Sequence, residues 1–532
     1  MRPSAPPGEG RAGEGSDADF LVVGSGFGGA VSALRLAEKG YGVVVLEQGK
    51  RYRTEDFPRT NWTLRKYLWA PALGLHGIQV LSFFRHMTVL HGRGVGGGSL
   101  VYANTLVQPG DEVFRGPDWG DADWPSRLAP RFREARRMLG AAPCHGVGRA
   151  DGLLRDIGRE LRGEDTFRVH DVGVFFGEPG VAAPDPYFGG EGPERVGCTL
   201  CGACMIGCPV GAKNTLDKNY LWLAERRGVR IVPETRAVAI RAVPEGYEVE
   251  TSPLAGGRGR VWRAPRVVVS GGVLGTVELL HRSRAVGGLP RLSRRLGHFV
   301  RTNSEAILAA AAPAGAPAVA DHVAITSGVQ VDADTHVEVV RFNDGSDALF
   351  WLTAPLARSR ARLPGLLGVL AGVVRHPLRF LAGLWPLGRA RRTAIVLAMQ
   401  ATGGHLTLEY RARGRRGGRL ASRVPPGETP PAASIPVADE VTHRLARALG
   451  GAAWTTWPDV ALGAPVTAHV LGGCRMAAGP EDGVVGWDGE VFGHPGLYVV
   501  DGSVVPVNLG VNPSLTITAL AEDIMARVPP KG

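Results

Sequence analysis

The sequence FLVVGSGFGGAVSALRLAEKGYGVVVLEQG, residues 20–49, predicts a strand, a glycine-rich turn, a helix and a second strand that ends at Glu47. Gly24 permits the tight turn, Gly26 lets the backbone approach a pyrophosphate, and Gly29 lets the helix pack closely on the strand. Free N–H groups at the helix N-terminus can bind the phosphates, and Glu47 can hold a ribose hydroxyl. This stretch predicts a dinucleotide-binding unit, and NAD, NADP and FAD all fit it.

Bulk composition indicates a globular protein of two or more domains. The chain has 532 residues, of which 44% are hydrophobic and 21% are charged. Its net charge is +11, but all except six of its 61 basic residues are arginines, and these are scattered along the chain. No RNA- or DNA-binding motif accompanies them, so we expect no nucleic-acid partner. Residues 1–17 lack an apolar run, and we expect a disordered tail, no secretory signal and a cytoplasmic protein.

A second glycine-rich stretch, HGRGVGGGSL at residues 91–100, cannot form a helix or an ordinary strand. A flexible surface linker would not run into the apolar segment LVYANTLV, so we favour a loop that lies against a flavin or a phosphate. The residues of this region that we expect to contact a cofactor are Gly94, Gly97, Gly98, Ser99 and Asn104.

Another strand–glycine–helix unit lies in the middle of the chain. Residues 266–270 predict a buried strand that is followed by Gly271 and an amphipathic helix. We expect this unit to join the same sheet as residues 20–49, so that the nucleotide domain is assembled from separated segments. Gly271, and Val238 in the β-rich stretch before it, complete the expected cofactor contacts of this region.

The cysteine run CxxCxxCxxxCP at residues 198–209 matches the spacing of bacterial ferredoxins. In two-cluster ferredoxins the fourth cysteine of such a run ligates the other cluster, and this chain has no second run. A single iron–sulfur cluster would use Cys198, Cys201 and Cys204, and its fourth ligand would be Cys144 or Cys474. Zinc fits worse, because structural zinc usually takes two separated CxxC pairs. We therefore favour buried thiols or a labile disulfide over a metal site.

Residues 303–465 predict an antiparallel sheet that could cover a flavin from its other side. The predicted strands are residues 323–329, 337–342, 348–352 and 395–399. Within this region, residues 363–388 contain an apolar run of about a dozen residues, which is too short to span a bilayer. This segment is a lid over an apolar pocket, an interfacial segment that touches a membrane, or an ordinary buried helix.

The C-terminal segment carries the densest signals. His469 precedes a Gly-Gly turn, where an imidazole can face a cleft, although a lone histidine of this kind is more often structural. Asp501 and Gly502 follow an apolar strand. Pro513 suits the first residue of a helix, which would make Asn512 the N-cap and direct the positive end of the helix dipole at whatever precedes it.

Together these blocks resemble the glucose–methanol–choline (GMC) family of FAD oxidoreductases, and within it the bacterial cholesterol-oxidase-like branch. The blocks are VVGSGFGGAVSALRLAEKG, GRGVGGGSLVYAN, CxxCGxCxxGCxxGAKNTL, HVLGGCRM and LYVVDGSVVPVNLGVNPSLTITALAE, and they occur in family order. The resemblance implies an α/β protein, α+β overall, with a Rossmann-like FAD domain and a substrate domain with an antiparallel sheet. The FAD domain would comprise residues 18–302, with an irregular insertion at 140–195, and residues 466–532; the substrate domain would comprise 303–465.

The resemblance also implies roles for individual residues. His469 would take the hydroxyl proton of an alcohol while the hydride passes to flavin N5, and Asn512 would hold the substrate oxygen. Sterol-oxidising relatives use a glutamate to move the double bond of the product, and Glu338 is the best match, the alternative being an exposed strand residue. Asp501, Gly502, Asn512 and Pro513 would contact the flavin.

Two departures from the family pattern have consequences. Val470 replaces the usual proline of His-Pro-Leu-Gly-Gly, which would loosen the hold on His469. No histidine follows the glycine-rich loop at residues 100–103, so we expect non-covalent FAD.

The expected function is the oxidation of an alcohol to a carbonyl, on a sterol or another large apolar alcohol, with subsequent double-bond isomerisation left open. Oxygen or another acceptor would take the electrons, and residues 363–388 would provide peripheral membrane contact. The alternatives are a GMC dehydrogenase of another lipophilic alcohol and a flavin/iron–sulfur electron-transfer protein.

Overall fold

The computed structural model describes residues 16–356, 385, 387–413 and 417–532, and it shows the mixed α/β fold that the sequence predicts. Nearly all of the expected disordered tail and of the apolar segment 363–388 lies outside the described residues. Within the described ranges, no helix combines the length and the apolarity needed to cross a membrane.

A five-stranded parallel sheet forms one layer of the fold. Phe20–Val23 lies at its centre, between Val43–Leu46 and Arg266–Val269, and the outer strands are Arg230–Val232 and Leu497–Val499. The strands FLVV and VVVL are apolar throughout because both of their faces are buried. The sheet joins N-terminal, central and C-terminal segments, and it pairs the two strand–glycine–helix units directly, as predicted.

The carboxyl ends of four of these strands meet at one edge of the sheet. The strands run into Gly24, Glu47, Ser270 and Val500, and each is followed by glycine-rich or acidic sequence. In open parallel sheets this edge is where ligands bind. Four helices cluster beside the sheet, namely Phe27–Glu38, Trp124–Met138, Tyr220–Arg226 and Ser514–Arg527. Gly272–Ala285 packs instead on a three-stranded antiparallel sheet of Thr235–Val243, Gly246–Pro253 and Val261–Ala264.

A seven-stranded antiparallel sheet forms the second layer. Its order is Thr353–Pro355, Ala452–Thr456, Ala306–Ala311, Thr393–Gln400, Thr335–Val340, Ser327–Gln330 and Arg168–Val169. Side chains alternate between its faces. Leu308, Val339 and Val396 pack under the helices Arg149–Arg162 and Pro436–Ala448, whereas Ile307, Val340 and Leu397 face the other way. The second face is turned toward the cavity described below.

Smaller elements connect the two layers. Gln79–Phe83 and Thr88–Gly92 form a sheet with Val466–Thr467, and Thr407–Arg413 pairs with Gly417–Arg423. The remaining short strand pairs are Trp69–Ala70 with Leu75–His76, Ala142–Pro143 with Asp171–Val172, and Ala182–Ala183 with Arg195–Val196. Within the described part of the chain, the remaining short α-helices are Leu64–Tyr67, Arg389–Arg392 and Trp457–Leu462.

The structure corrects the strand predicted at residues 348–352, which is a 3-10 helix, Ala348–Leu352. Asn61 caps this turn, since its side-chain oxygen accepts a hydrogen bond from the N–H of Ala348 at 2.9 Å. Trp351 is 62% exposed, so the apolar pattern ALFWL does not mark a buried strand.

The structure also places a 14-residue helix, Arg149–Arg162, inside the insertion that we expected to be irregular. Asp151 closes its first turn by accepting a hydrogen bond from the N–H of Gly148 at 3.0 Å. Its glycines hide the helix from sequence reasoning, and Gly158 is required for close packing, since a Cβ there would lie 3.1 Å from the side chain of Val329. The boundaries of the two domains remain predictions.

The last helix begins one residue later than predicted. Ser514–Arg527 has Pro513 at its N-cap, so Asn512 lies outside the helix rather than at the cap. The Asn512 side chain is instead engaged elsewhere, as described below.

Candidate active site

A cavity of about 910 Å³ runs from the edge of the parallel sheet to the inner face of the seven-stranded sheet. Most of the residues expected to contact a cofactor or substrate line it: Gly24, Gly26, Glu47, Gly97, Gly98, Val238, Gly271, His469, Asp501, Gly502, Asn512 and Pro513. The cavity therefore joins the glycine-rich motif of residues 20–49 to the C-terminal residues within one space.

The glycine-rich turn leaves no room for side chains where it meets the sheet. A Cβ on Gly28 would lie 1.6 Å from the carbonyl oxygen of Val500, and one on Gly29 would lie 2.0 Å from that of Gly24. A Cβ on Gly26 would meet nothing within 4 Å, because this residue borders the cavity. Gly29 thus serves close packing, and Gly26 borders open space in the cavity, whereas its contact with a cofactor stays a prediction.

Glu47 anchors the same turn from the neighbouring strand. Its Oε2 accepts hydrogen bonds from the N–H and the hydroxyl of Ser25, at 3.1 and 2.7 Å, and its Oε1 accepts one from the N–H of Gly49 at 2.7 Å. Arg93 adds a basic group to this part of the cavity wall. An acid at the end of the second strand and a cation near the turn suit the ribose and phosphates of a dinucleotide.

The second glycine-rich stretch lies directly against the first. A Cβ on Gly97 would come within 2.7 Å of the Cα of Gly26. Ser99 is buried behind the cavity wall, where its hydroxyl donates to the carbonyl of Gly96 at 2.7 Å and accepts from the N–H of Leu216 at 3.0 Å. Ser99 therefore holds the loop rather than lining the cavity.

Four expected site residues besides Ser99 also lie outside the cavity wall. Gly29 packs the helix on the strand, and Gly94, at φ +134°, approaches the Leu100 side chain. Asn104 is fully buried at φ 60°, and both polar atoms of its side chain lack a hydrogen-bond partner. Glu338 is fully buried behind Asn512.

Asp501 links two strand–helix units at the cavity. Its carboxylate accepts hydrogen bonds from the hydroxyl groups of Thr276 and Ser503, both at 2.5 Å, and from the N–H of Gly272 at 2.9 Å. Burial raises the pKa of Asp501 despite these bonds. The site thus depends on a buried acid that fixes the start of the helix Gly272–Ala285 next to the cavity.

His469 lies beside a buried carboxylate that sequence reasoning missed. Its Nδ1 is 2.9 Å from Oε2 of Glu305, which is fully buried and also lines the cavity. The hydroxyl of Thr467 donates to the same oxygen at 2.8 Å and accepts from the N–H of His469 at 2.9 Å. Burial opposes a charge on His469, but Glu305, with a smaller effect of Glu338, outweighs it and raises the pKa of the imidazole.

Asn512 is held by a second buried carboxylate. Its side-chain nitrogen donates to Oε2 of Glu338 at 3.1 Å, and its side-chain oxygen has no partner. Oε1 of Glu338 faces two imidazoles, Nδ1 of His170 at 3.3 Å and Nε2 of His336 at 3.4 Å. Burial would raise the pKa of Glu338, but His336, His170 and Asn512 together lower it. Glu338 is therefore a buried acid and not an exposed strand residue.

The turn at residues 303–305 connects the His469–Glu305 pair with the loop that carries Asn512. Asn303 and Ser304 have φ values of 57° and 42°, in the left-handed region, and Glu305 follows them. The side chain of Asn303 accepts from the N–H groups of Leu509 and Gly510 at 2.9 and 3.0 Å, and donates to the carbonyl of Val511 at 2.9 Å. One strained turn thus positions both His469, through Glu305, and the loop that carries Asn512.

The cavity wall opposite these residues is apolar. The seven-stranded sheet and its neighbours contribute Leu81, Ile307, Ile325, Val340, Phe342, Leu349, Phe350, Ile395 and Leu397. A polar group held there would lose its hydration without gaining partners. This part of the cavity suits a large apolar molecule.

The cysteine run forms a compact turn next to the cavity. The void that its residues line has a volume of about 10 Å³, which is the space of one water molecule at most. Burial raises the pKa of Cys198 to about 11 and raises that of Cys204 further, so these thiols are protonated. The void is too small for an iron–sulfur cluster, and nothing here supports that alternative.

The ammonium group of Lys213, just after the cysteine run, is fully buried. It donates to the carbonyl oxygens of Leu100 and Cys204, at 2.9 and 2.7 Å. Lys213 therefore connects the cysteine run to Leu100, at the end of the second glycine-rich stretch.

Solved structures share this fold. A pyridoxine 4-oxidase from Mesorbium loti matches with a TM-score of 0.60 and 16% identity over 96% of this chain and 99% of that chain. A fungal aryl-alcohol oxidase matches with a TM-score of 0.55 and 15% identity over 96% of this chain and 99% of that one.

Two GMC oxidoreductase models, one N-terminal and one C-terminal, match residues 194–300 and 442–521, and the FAD binding domain model matches residues 19–57. At the level of whole sequences, the chain is 41% identical to a cholesterol oxidase of Acinetobacter baumannii, over 97% of this chain and 95% of that protein. It is 43% identical to a cholesterol oxidase of Mycobacterium tuberculosis (strain ATCC 25618 / H37Rv), over 97% and 92%. The chain belongs to the GMC oxidoreductase family, and it is an FAD-dependent oxidoreductase that acts on CH–OH groups.

Proposed function

We propose that this enzyme oxidises the hydroxyl of a sterol, a 3β-hydroxysteroid, to a ketone and uses molecular oxygen as its electron acceptor. The observation that carries this proposal is the apolar cavity wall that faces His469 and Asn512. A sugar or choline would need polar or charged partners at that wall. The names of the two cholesterol oxidase relatives agree with this substrate and acceptor.

His469 is the base for the hydroxyl proton. The carboxylate of Glu305 at 2.9 Å favours a proton on Nδ1, which leaves the lone pair of Nε2 for the substrate. As the hydroxyl proton moves to Nε2, the imidazole becomes positively charged, and Glu305 stabilises that charge. Within the described residues, Glu305 has no cationic partner other than His469. Its proposed role in stabilising the imidazolium gives a reason for this buried pair.

Asn512 orients the substrate oxygen. Its side chain is fixed by the hydrogen bond to Glu338, and the positive end of the helix Ser514–Arg527 lies directly after it. FAD, when bound in this cavity, would supply the hydride acceptor that the oxidation of the carbinol to the ketone requires. We propose that FAD is held without a covalent bond, because residues 100–103 contain no histidine.

Glu338 moves the double bond of the product. A 5-en-3-one has acidic hydrogens at C4, and a carboxylate can remove one of them and return a proton at C6 to give the conjugated ketone. Glu338 is fully buried beside Asn512, and His336, His170 and Asn512 lower its pKa, which favours the carboxylate form that can accept a proton.

Anaerobic reduction of the bound flavin by a panel of alcohols tests the substrate. We expect bleaching of the flavin absorbance by 3β-hydroxysterols and none by glucose or choline. A protein that is reduced by glucose or choline, but not by sterols, would refute the sterol assignment. Reduction by long-chain alcohols alone would identify an oxidoreductase of another lipophilic alcohol.

Replacement of the base tests the mechanism. His469→Ala should lower the rate of flavin reduction by about 10²- to 10⁴-fold, as expected for loss of a general base, while FAD stays bound. Reduction at the wild-type rate would remove His469 from the base role. The visible spectrum of the purified variant shows whether FAD is retained.

A further inference from the structure

The cluster of His170, His336 and Glu338 lies beyond the cavity, on the far side of Asn512. His336 and Glu338 are two residues apart on the strand Thr335–Val340, so both side chains project from the same face of the sheet. His170 follows the edge strand Arg168–Val169, where its N–H is fixed to the carbonyl of Thr326 at 2.9 Å. One strand and the residue after a second strand thus bring two imidazoles and one carboxylate close together.

Two of the three distances between the ligand atoms of this cluster match those of a metal site. Nδ1 of His170, Nε2 of His336 and a Glu338 oxygen lie within 4.8 Å of one another, and no other group of three His, Cys, Asp or Glu side chains does so among the residues that the structure describes. The two imidazole nitrogens are 3.3 and 3.4 Å from Oε1 of Glu338. Zinc–ligand bonds of about 2.0–2.2 Å at tetrahedral angles give edges of about 3.3–3.6 Å.

The contact between His336 and Glu338 is a long hydrogen bond at 3.4 Å, whereas the contact between His170 and Glu338 is not a hydrogen bond. Both distances exceed the usual 2.7–3.2 Å of an N–H···O hydrogen bond. His170 is 6% exposed, yet its Nδ1 has no hydrogen-bond partner and points at the carboxylate. A buried polar atom without a partner is costly, and a bound cation would satisfy it.

The neighbouring backbone leaves space for the imidazoles. Gly328 pairs with Glu338 across the sheet, and a Cβ on Gly328 would lie 2.6 Å from His336 and 2.9 Å from His170. Its backbone is not in the left-handed region, so the absence of a side chain serves the two rings rather than the chain conformation. The His336 side chain is 13% exposed, which gives an ion access from solvent.

We propose that His170, His336 and Glu338 bind one divalent transition-metal cation of the zinc class. Two imidazoles and one carboxylate are donors that such ions prefer, and three protein ligands leave a position for water. The other oxygen of Glu338 stays hydrogen-bonded to Asn512. The Glu338 carboxylate would therefore bridge the ion and the residue that we propose to orient the substrate oxygen.

The test uses the FAD-loaded protein after chelator treatment, titrated with ZnCl₂ without substrate. We expect one Zn²⁺ per chain to remain after gel filtration, measured by elemental analysis. His170→Ala and His336→Ala should each weaken binding by more than about tenfold. Gly328→Ala keeps all three ligands but fills the space between the rings, and it should also weaken binding. His443→Ala, at a half-buried histidine of the helix Pro436–Ala448, is the matched control and should bind as wild type does.

Two results would overturn the site: a wild-type protein that retains no Zn²⁺, or variants that all retain it equally. The flavin spectrum and circular dichroism confirm folding of each variant. If His170→Ala does not fold, the comparison of Zn²⁺ binding between His336→Ala and wild type decides, because His336 is partly exposed. Because no substrate is present, failure of the sterol proposal does not affect this result.

A filled site also changes the role of Glu338, and this consequence rests on the proposed function. An ion on Oε1 withdraws the carboxylate from proton transfer, so Zn²⁺ should raise the fraction of unconjugated ketone made by wild type but not by His336→Ala. An unchanged product ratio in zinc-loaded wild type would contradict this consequence.

Discussion

Glu305 sets the proton affinity of His469, since the two side chains meet at 2.9 Å inside the protein. A neutral imidazole is required to accept a proton, so the rate of flavin reduction should increase as the pH rises through the pKa of His469. Because Glu305 raises this pKa against the opposing effect of burial, the rise should lie above the ordinary value of about 6.5.

Glu305→Gln should lower the rate of flavin reduction and move its pH profile. The amide cannot stabilise the imidazolium, so we expect the plateau rate to fall by at least about tenfold, the equivalent of one pKa unit. Without the carboxylate, burial lowers the pKa of His469, and the midpoint of the rise should move to lower pH. Stopped-flow measurements from about pH 5 to about pH 9, which cover the range in which histidine side chains titrate, test this prediction. Glu440→Gln, at an exposed side chain of the helix Pro436–Ala448, is the control. An unchanged midpoint in Glu305→Gln would contradict the positioning role.

Glu338→Gln should separate the two proposed reactions. The amide can still bond to Asn512, so oxidation should stay within about tenfold of wild type. Isomerisation needs the carboxylate, so the product should be the unconjugated ketone, which lacks the ultraviolet absorbance of the conjugated one. Formation of conjugated ketone at the wild-type rate would exclude Glu338 as the base.

Sequence reasoning found His469, Asn512 and Glu338 through the resemblance to the family, and the structure brings them to one region. It missed Glu305, because TNSEAIL has no spacing or motif that indicates chemistry. The role of Glu305 depends on its contact with His469 in the folded protein, and Glu305 directly follows the turn at Asn303 and Ser304.

At the level of elements, the strand–turn–helix of residues 20–49 was predictable in detail because each glycine has a separate physical requirement. The 3-10 helix Ala348–Leu352 was not, since its conformation depends on a cap from Asn61, far away in the chain. The predicted start of the last helix was wrong by one residue, because proline suits both the N-cap and the first turn of a helix.

Two glycine variants in this turn should fail in different ways. In Gly28→Ala the new methyl group would overlap the carbonyl of Val500, so we expect loss of folded protein. In Gly26→Ala the methyl group has open space in the ligand-free structure, so the protein should fold but bind FAD at least about tenfold more weakly. Thermal unfolding and FAD titration distinguish the two results, with Gly152→Ala as a control. Equal behaviour of the two variants would contradict these separate roles.

The whole molecule joins two layers around one cavity, and this arrangement explains why its chemistry is spread along the chain. The parallel sheet supplies the dinucleotide end, and the antiparallel sheet supplies the apolar wall. Sequence patterns predicted both sheets, whereas the continuity of the cavity between them depends on side-chain packing that no local pattern records.

FAD should be released by acid precipitation. No residue between 100 and 103 can form a histidyl bond to the flavin, so all of the flavin absorbance should appear in the supernatant. Flavin that stays in the protein pellet after washing would indicate a covalent bond and contradict the proposed mode of binding.

The decisive measurement is anaerobic flavin reduction by a 3β-hydroxysterol that carries deuterium at C3, compared with the unlabelled sterol. Hydride loss from C3 predicts that both sterols bleach the flavin and that the deuterated one does so several-fold more slowly. Failure of both sterols to bleach the flavin, or bleaching by both at the same rate, would contradict the assignment of this enzyme as a sterol oxidase.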